Sequence, residues 1–135
     1  MKFIKRIFGI CETRPPADPA SWRLAGRTVE LDLARTPELA AAGTAVRLEG
    51  QSLPERLLVV HGEDGVFHAY VNRCTHAGRR IDHKPGAAEV QCCSVMKSTY
   101  DYAGNVISGG AKKSLPVLDA RVEEVVARID EEEWG

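Results

Sequence analysis

An excess of charge of either sign is missing from this chain. Its 135 residues carry 18 Lys and Arg against 19 Asp and Glu, a formal net charge of −1. No strong field is available to recruit nucleic acid, so that partner class is set aside. Long apolar runs are also missing. The stretch from Met1 to Ile10 has five large apolar residues interrupted by Lys2, Lys5 and Arg6. It is too short to span a bilayer and has no clear secretion-signal core. Cysteine is scarce and unevenly placed. Cys74, Cys92 and Cys93 fall in one stretch, and Cys11 stands alone. A secreted disulfide framework spreads its cysteines, so this distribution points to a reducing, cytoplasmic setting, with Cys11 a small buried residue. No internal repeat is visible.

What is present divides into two parts. Residues 1–20 read as an N-terminal amphipathic segment and a linker. Phe3, Ile4, Ile7 and Phe8 have helical spacing, so a short helix that packs on the domain or a partner is expected, and its basic residues also permit weak peripheral membrane association. Pro15, Pro16 and Pro19 then mark extended chain. Residues 21–135 read as one domain. Trp22–Leu24 and Thr28–Leu33 form a hairpin signal; Ala45–Leu48 is a short strand. Arg56–His61 and Val66–Asn72 flank the Gly62–Gly65 turn. Further strands fit Ala88–Gln91, Thr99–Tyr102, Val106–Ser108, Val117–Val122 and Val125–Ile129. Thr36 to Gly43 carries a short helix signal, with proline at the first helical position. Close-spaced short strands with turn residues between them indicate an all-β domain.

The chemistry concentrates between Cys74 and Asp101. Cys74-Thr75-His76 opens the stretch, and Cys92-Cys93-Ser94-Val95-Met96 leads to Tyr100-Asp101. Soft ligands at both ends of a medium loop, each after a β-like run, suit an iron–sulfur cluster clamped between loop tips. Cys74 and His76 are two apart, so on extended chain both side chains share a face.

The stretch resembles the binding motif of Rieske-type [2Fe–2S] proteins, C-x-H followed by C-x-x-H, with two cysteines on one iron and two histidines on the other. Tyr100-Asp101 and Gly104 match the motif's F-D pair and turn glycine, and that register makes Cys93 the second cysteine ligand and places Met96 at the second histidine. The resemblance covers roughly residues 57–129. It implies an antiparallel β-sandwich with a cluster-binding loop subdomain, with Cys74 and Cys93 on neighbouring loop tips. It also implies a [2Fe–2S] cofactor on Cys74, His76, Cys93 and one further donor. A thioether is a weak substitute for imidazole on ferric iron, so Cys92 is the chemical candidate for that donor. Geometry opposes it, because adjacent residues on extended chain face opposite ways. His83, Met96 itself and solvent are the remaining alternatives.

Other departures follow from the resemblance. Arg79 and Val95 occupy the positions of the two bridging cysteines of respiratory relatives, and Ser108-Gly109-Gly110-Ala111 replaces a Gly-Pro-Ala-like loop, reading as flexible. Arg73, Arg79, Arg80, Lys84, Lys97, Lys112 and Lys113 surround the site, either as a solvated rim or as a collar for an acidic redox partner protein. The expected function is electron transfer without catalysis, since 135 residues leave no room for an oxygenase domain. The alternatives are a Rieske-fold subunit that has lost its cluster, as in the small subunit of NADH-dependent nitrite reductase, and a mononuclear zinc or iron site on Cys74, His76, Cys92 and Cys93.

Overall fold

Alternation of apolar and polar residues builds most of this domain. A computed structural model of the chain describes residues 11–75, 78–93, 97–123 and 126–130. The helix expected within residues 1–10 lies outside the described residues. Eleven strands run through the described residues: β1 Trp22–Ala25, β2 Thr28–Asp32, β3 Thr44–Leu48, β4 Leu57–His61, β5 Phe67–Val71, β6 Ile81–Lys84, β7 Glu89–Cys92, β8 Thr99–Asp101, β9 Val106–Ser108, β10 Val117–Glu123 and β11 Val126–Asp130. Seven form one antiparallel sheet in the order β1-β2-β11-β10-β5-β4-β3, and four form a second in the order β6-β7-β8-β9. The architecture is the all-β, two-sheet one that the sequence implies. No helix among the described residues is long and apolar enough to cross a membrane.

Strand β4 shows how the two sheets share a core. Its run Leu57-Leu58-Val59-Val60 is apolar at every position and buried throughout. Leu57 and Val59 join one cluster with Val29, Leu31, Val46, Leu48 and Ile129, within the large sheet. Leu58 and Val60 point the other way, into a second cluster with Tyr70, Cys74, Ile81, Val90, Cys92 and Tyr100. A strand buried on both faces loses alternation, because each face has its own apolar layer to meet. Strand β10 joins the halves of the large sheet: Val117 and Leu118 pair with β5, and Asp119–Glu123 pair with β11.

Two elements differ from the sequence reading. The helix signal over Thr36–Gly43 becomes a single 3-10 turn at Pro37–Leu39, which follows another at Leu33–Arg35. Thr36 spends its hydroxyl on the Asp32 carbonyl (2.7 Å) instead of capping the amides that follow it. Strand β6, Ile81-Asp82-His83-Lys84, carries no propensity signal, yet it pairs with β7 over four residues. Ile81 and His83 turn into the core while Asp82 faces outward, so tertiary pairing overrides a weak local pattern.

Candidate metal centre

Two loops carry the cysteines, and one short backbone stretch holds both. Cys74 follows β5, and its N–H donates to the Arg79 carbonyl (2.7 Å); the Gly78 N–H donates back to the Cys74 carbonyl (2.8 Å). Cys93 follows β7, and its N–H donates to the Arg80 carbonyl (3.0 Å). Consecutive carbonyls therefore anchor the two cysteine backbones, and the loops lie side by side. Asn72 supports the arrangement: its Oδ1 accepts from Ile81 N–H (2.7 Å), and its own carbonyl accepts from Arg56 Nε (3.1 Å) and Nη2 (3.0 Å). Arg80 is fixed by a two-pronged pair with Glu49, at 2.6 and 2.9 Å. Those charged hydrogen bonds hold the half-buried Glu49 carboxyl below its usual range, against the opposing effect of burial.

The sulfur environments differ. Cys74 is buried, with the Tyr100 hydroxyl 3.4 Å from its Sγ. The same hydroxyl lies 3.0 Å from Thr75 Oγ1 and accepts the Thr75 N–H at 3.2 Å. Burial, then the contact with Cys74, pushes the Tyr100 phenol up to about 12, so it remains an O–H group beside the sulfur. Cys92 is fully buried at the end of β7 and joins the same apolar cluster as Cys74. Cys93, the next residue, is bonded to Cys11 in a disulfide with a Cα–Cα separation of 5.3 Å.

The structure thus groups Cys74 with Cys92 and Cys93 with Cys11. His76, Met96 and Val95 lie outside the described residues. His83 is buried, and its Nε2 is 2.8 Å from the Tyr102 hydroxyl. Cys11, expected to be a small buried residue, is a half-buried disulfide partner across 82 residues. Its local sequence gives no sign of this, because the anchor is distant: Asp82 on β6 accepts the Glu12 N–H (2.7 Å) and the Thr13 N–H (2.8 Å).

The third loop is also different from its sequence reading. Gly109, at φ +91°, presses on Lys97 and Ser98; a Cβ there would sit on Ser98 Cα, 2.7 Å from Ser98 N and 2.9 Å from the Lys97 carbonyl oxygen. Ala111 N–H donates to Ser98 Oγ (3.0 Å), and Thr75 Oγ1 donates to the Lys113 carbonyl (2.7 Å). Glycine serves close approach here. Around the site, Arg73, Arg80 and Lys84 pair with Glu55, Glu49 and Glu89, whereas Arg79, Lys97, Lys112 and Lys113 are exposed.

Donor chemistry decides whether an iron–sulfur cluster fits. With the disulfide closed, Cys93 offers no thiolate. With it reduced, Cys93 joins Cys74 as a thiol on the paired loops, and thiolates are the donors that hold one iron of such a cluster. These two donors suit the group only in the dithiol form.

The family model described as the Rieske [2Fe–2S] domain matches residues 29–119. No curated protein sequence matches the chain. Among solved structures, the chain is similar to the plasma membrane Rieske protein of the cyanobacterium Synechocystis PCC 6803, with 24% identity and a TM-score of 0.52 over 62% of this chain and 85% of that one. It is similar to the ferredoxin of carbazole 1,9a-dioxygenase from Nocardioides aromaticivorans IC177, with 15% identity and a TM-score of 0.57 over 67% and 86%. A quaternary ammonium Rieske monooxygenase aligns with 85% of this chain at 16% identity and a TM-score of 0.58, but the match spans only 34% of that enzyme.

Proposed function

Because the chain belongs to the Rieske [2Fe–2S] domain family, we propose that it is a small electron-transfer protein rather than an enzyme, carrying a [2Fe–2S] cluster on Cys74, His76 and Cys93. A further thiolate takes the position that Met96 leaves without imidazole; the sequence nominates Cys92, which the fold instead turns into the apolar cluster with Tyr70, Ile81 and Val90. One observation carries the reading: the Cys74 and Cys93 amides are held by the adjacent carbonyls of Arg79 and Arg80, which keeps two ligand loops in register. When bound, the cluster supplies a one-electron carrier. The chain's own part is to hold the loops, to exclude water with the Leu58, Val60 and Ala111 layer, and to keep the Tyr100 O–H beside the Cys74 sulfur.

The partner proposed is a redox protein with an acidic docking face, met by Arg79, Lys97, Lys112 and Lys113. A ferredoxin of similar fold has been captured with the oxygenase of carbazole 1,9a-dioxygenase, a precedent for this kind of pairing. A reducing cytoplasm is the setting in which the Cys11–Cys93 bond opens. Protein purified without oxygen, in the presence of a dithiol, should be coloured and contain iron and acid-labile sulfide in equal amounts. A colourless, zinc-bearing product would replace the cluster by a mononuclear site. A second reading has its own support: with Cys93 bonded to Cys11, one of the motif's two thiolates is withheld from a cluster, which suits a structural or regulatory subunit. A metal-free product under the same reducing conditions selects it.

A further inference from the structure

We propose that Cys11 is a metal ligand, a thiolate donor beside Cys93 once their disulfide is opened. The inference rests on the cluster reading for its biological metal, but the geometry behind it is independent of that reading. Cys11 is delivered to Cys93 by design of the backbone. The Asp82 carboxylate accepts the two amides that follow Cys11, from Glu12 (2.7 Å) and Thr13 (2.8 Å), and the Arg47 N–H donates to the Arg14 carbonyl (3.1 Å). Three bonds to two distant strands thus fix the segment immediately after Cys11.

The convergence forms a donor group. The sulfurs of Cys11 and Cys93 and a carboxylate oxygen of Asp82 all lie within 4.8 Å of one another. Cys74 is not part of that group, and Cys92 faces the core beside it. In the dithiol state the nearby carboxylate favours protonated thiols at Cys11 and Cys93. Two events remove those protons: two-electron oxidation to the S–S bond, with dioxygen as the oxidant in air, or arrival of a cation that binds the thiolates. The closed disulfide is the first outcome, and metal ligation is the second. Both oxygens of Asp82 already accept backbone amides, so Asp82 is a positioning residue and Cys11 is the ligand.

Opening the pair is a balanced exchange. A dithiol such as dithiothreitol delivers two electrons and two protons to the S–S bond, giving two thiols and its own cyclic disulfide. Metal binding then displaces the thiol protons.

The test uses the whole chain, reduced with dithiothreitol without oxygen, freed of excess dithiol and loaded with Co²⁺ alone. The near-ultraviolet thiolate-to-cobalt band counts bound cysteines. Cys11→Ser should lose one thiolate's share of the band, while Cys92→Ser should retain the full band; unchanged far-ultraviolet circular dichroism checks that both variants fold. Unoxidised Cys11 is required, so the air-oxidised wild type should lose the share of the band that Cys11 and Cys93 supply. A full band in Cys11→Ser overturns the proposal, as does loss in Cys92→Ser alone or failure of the reduced wild type to bind cobalt. Reconstitution with iron and sulfide is the separate arm. If it yields no chromophore while the cobalt result holds, the electron-transfer reading falls and Cys11 remains a metal ligand.

Discussion

Single side chains hold the cysteine loops, and two of them can be tested alone. Glu49 fixes Arg80, whose carbonyl anchors the Cys93 amide. Its folded carboxyl titrates below its unfolded value, because Arg80 favours the charged form. Folding stability from this group is therefore complete above the ordinary carboxylate range and is lost as pH falls through the lower folded value. Glu49→Gln should flatten part of the acid limb of a stability–pH profile measured by urea unfolding, with little effect near neutrality beyond a constant offset. An unchanged acid limb contradicts the assignment. Asp82 holds the other side. Asp82→Asn leaves one acceptor oxygen for two amides, and a lost hydrogen bond to a charged group is worth about 1.5–3 kcal/mol. The Cys11–Cys93 bond should then open at roughly tenfold lower dithiol-to-disulfide ratio, as read by alkylation of Cys93 in dithiothreitol redox buffers. Identical midpoints for variant and wild type would remove Asp82 from the positioning role.

At the level of elements, closeness of backbones matters more than loop composition. The loop after β9 reaches Ser98 only because Gly109 has no Cβ and accepts φ +91°. Gly109→Ala should cost about 2–4 kcal/mol, from backbone strain and forced separation of the loops. A urea midpoint within error of wild type would show that the contact can relax. The same loop marks the limit of sequence reading: Ser108-Gly109-Gly110-Ala111 shows an absent proline, but not the Ser98 backbone that requires the glycine. Strands with β-branched alternation, such as Thr28–Asp32 and Thr44–Leu48, were legible because one buried face writes a period of two. Ile81–Lys84 was not, since half its residues are charged and its strand character comes from pairing with Glu89–Cys92. For the site, Cys74 and Cys93 were legible as neighbouring loop residues from motif spacing. The Cys11 contact was illegible because its cause, Asp82, lies 69 and 70 residues from the amides it binds.

For the whole molecule, near-neutral total charge conceals an uneven surface. Arg79, Lys97, Lys112 and Lys113 are exposed around the candidate centre, while Arg80, Arg73 and Lys84 are matched by local acids. Electron exchange with an acidic partner should slow as salt rises, because exposed charges are screened beyond about 8 Å at physiological ionic strength. Lys112→Glu combined with Lys113→Glu should slow it further and weaken the salt dependence; stopped-flow reduction over a salt series measures both, and salt-independent rates would remove the collar from docking. A different consequence follows from the place of β11 between β2 and β10. Arg128 on β11 meets Glu30 on β2 across 98 residues of chain. During synthesis the β1–β2 hairpin therefore emerges early with one edge unsatisfied, and it must wait for nearly the whole domain to leave the ribosome. Closing so distant a pair is slow relative to local hairpins, and an open edge recruits other strands meanwhile. Nascent chains halted before Val126 should accordingly be chaperone clients, whereas the completed chain is shielded at that edge.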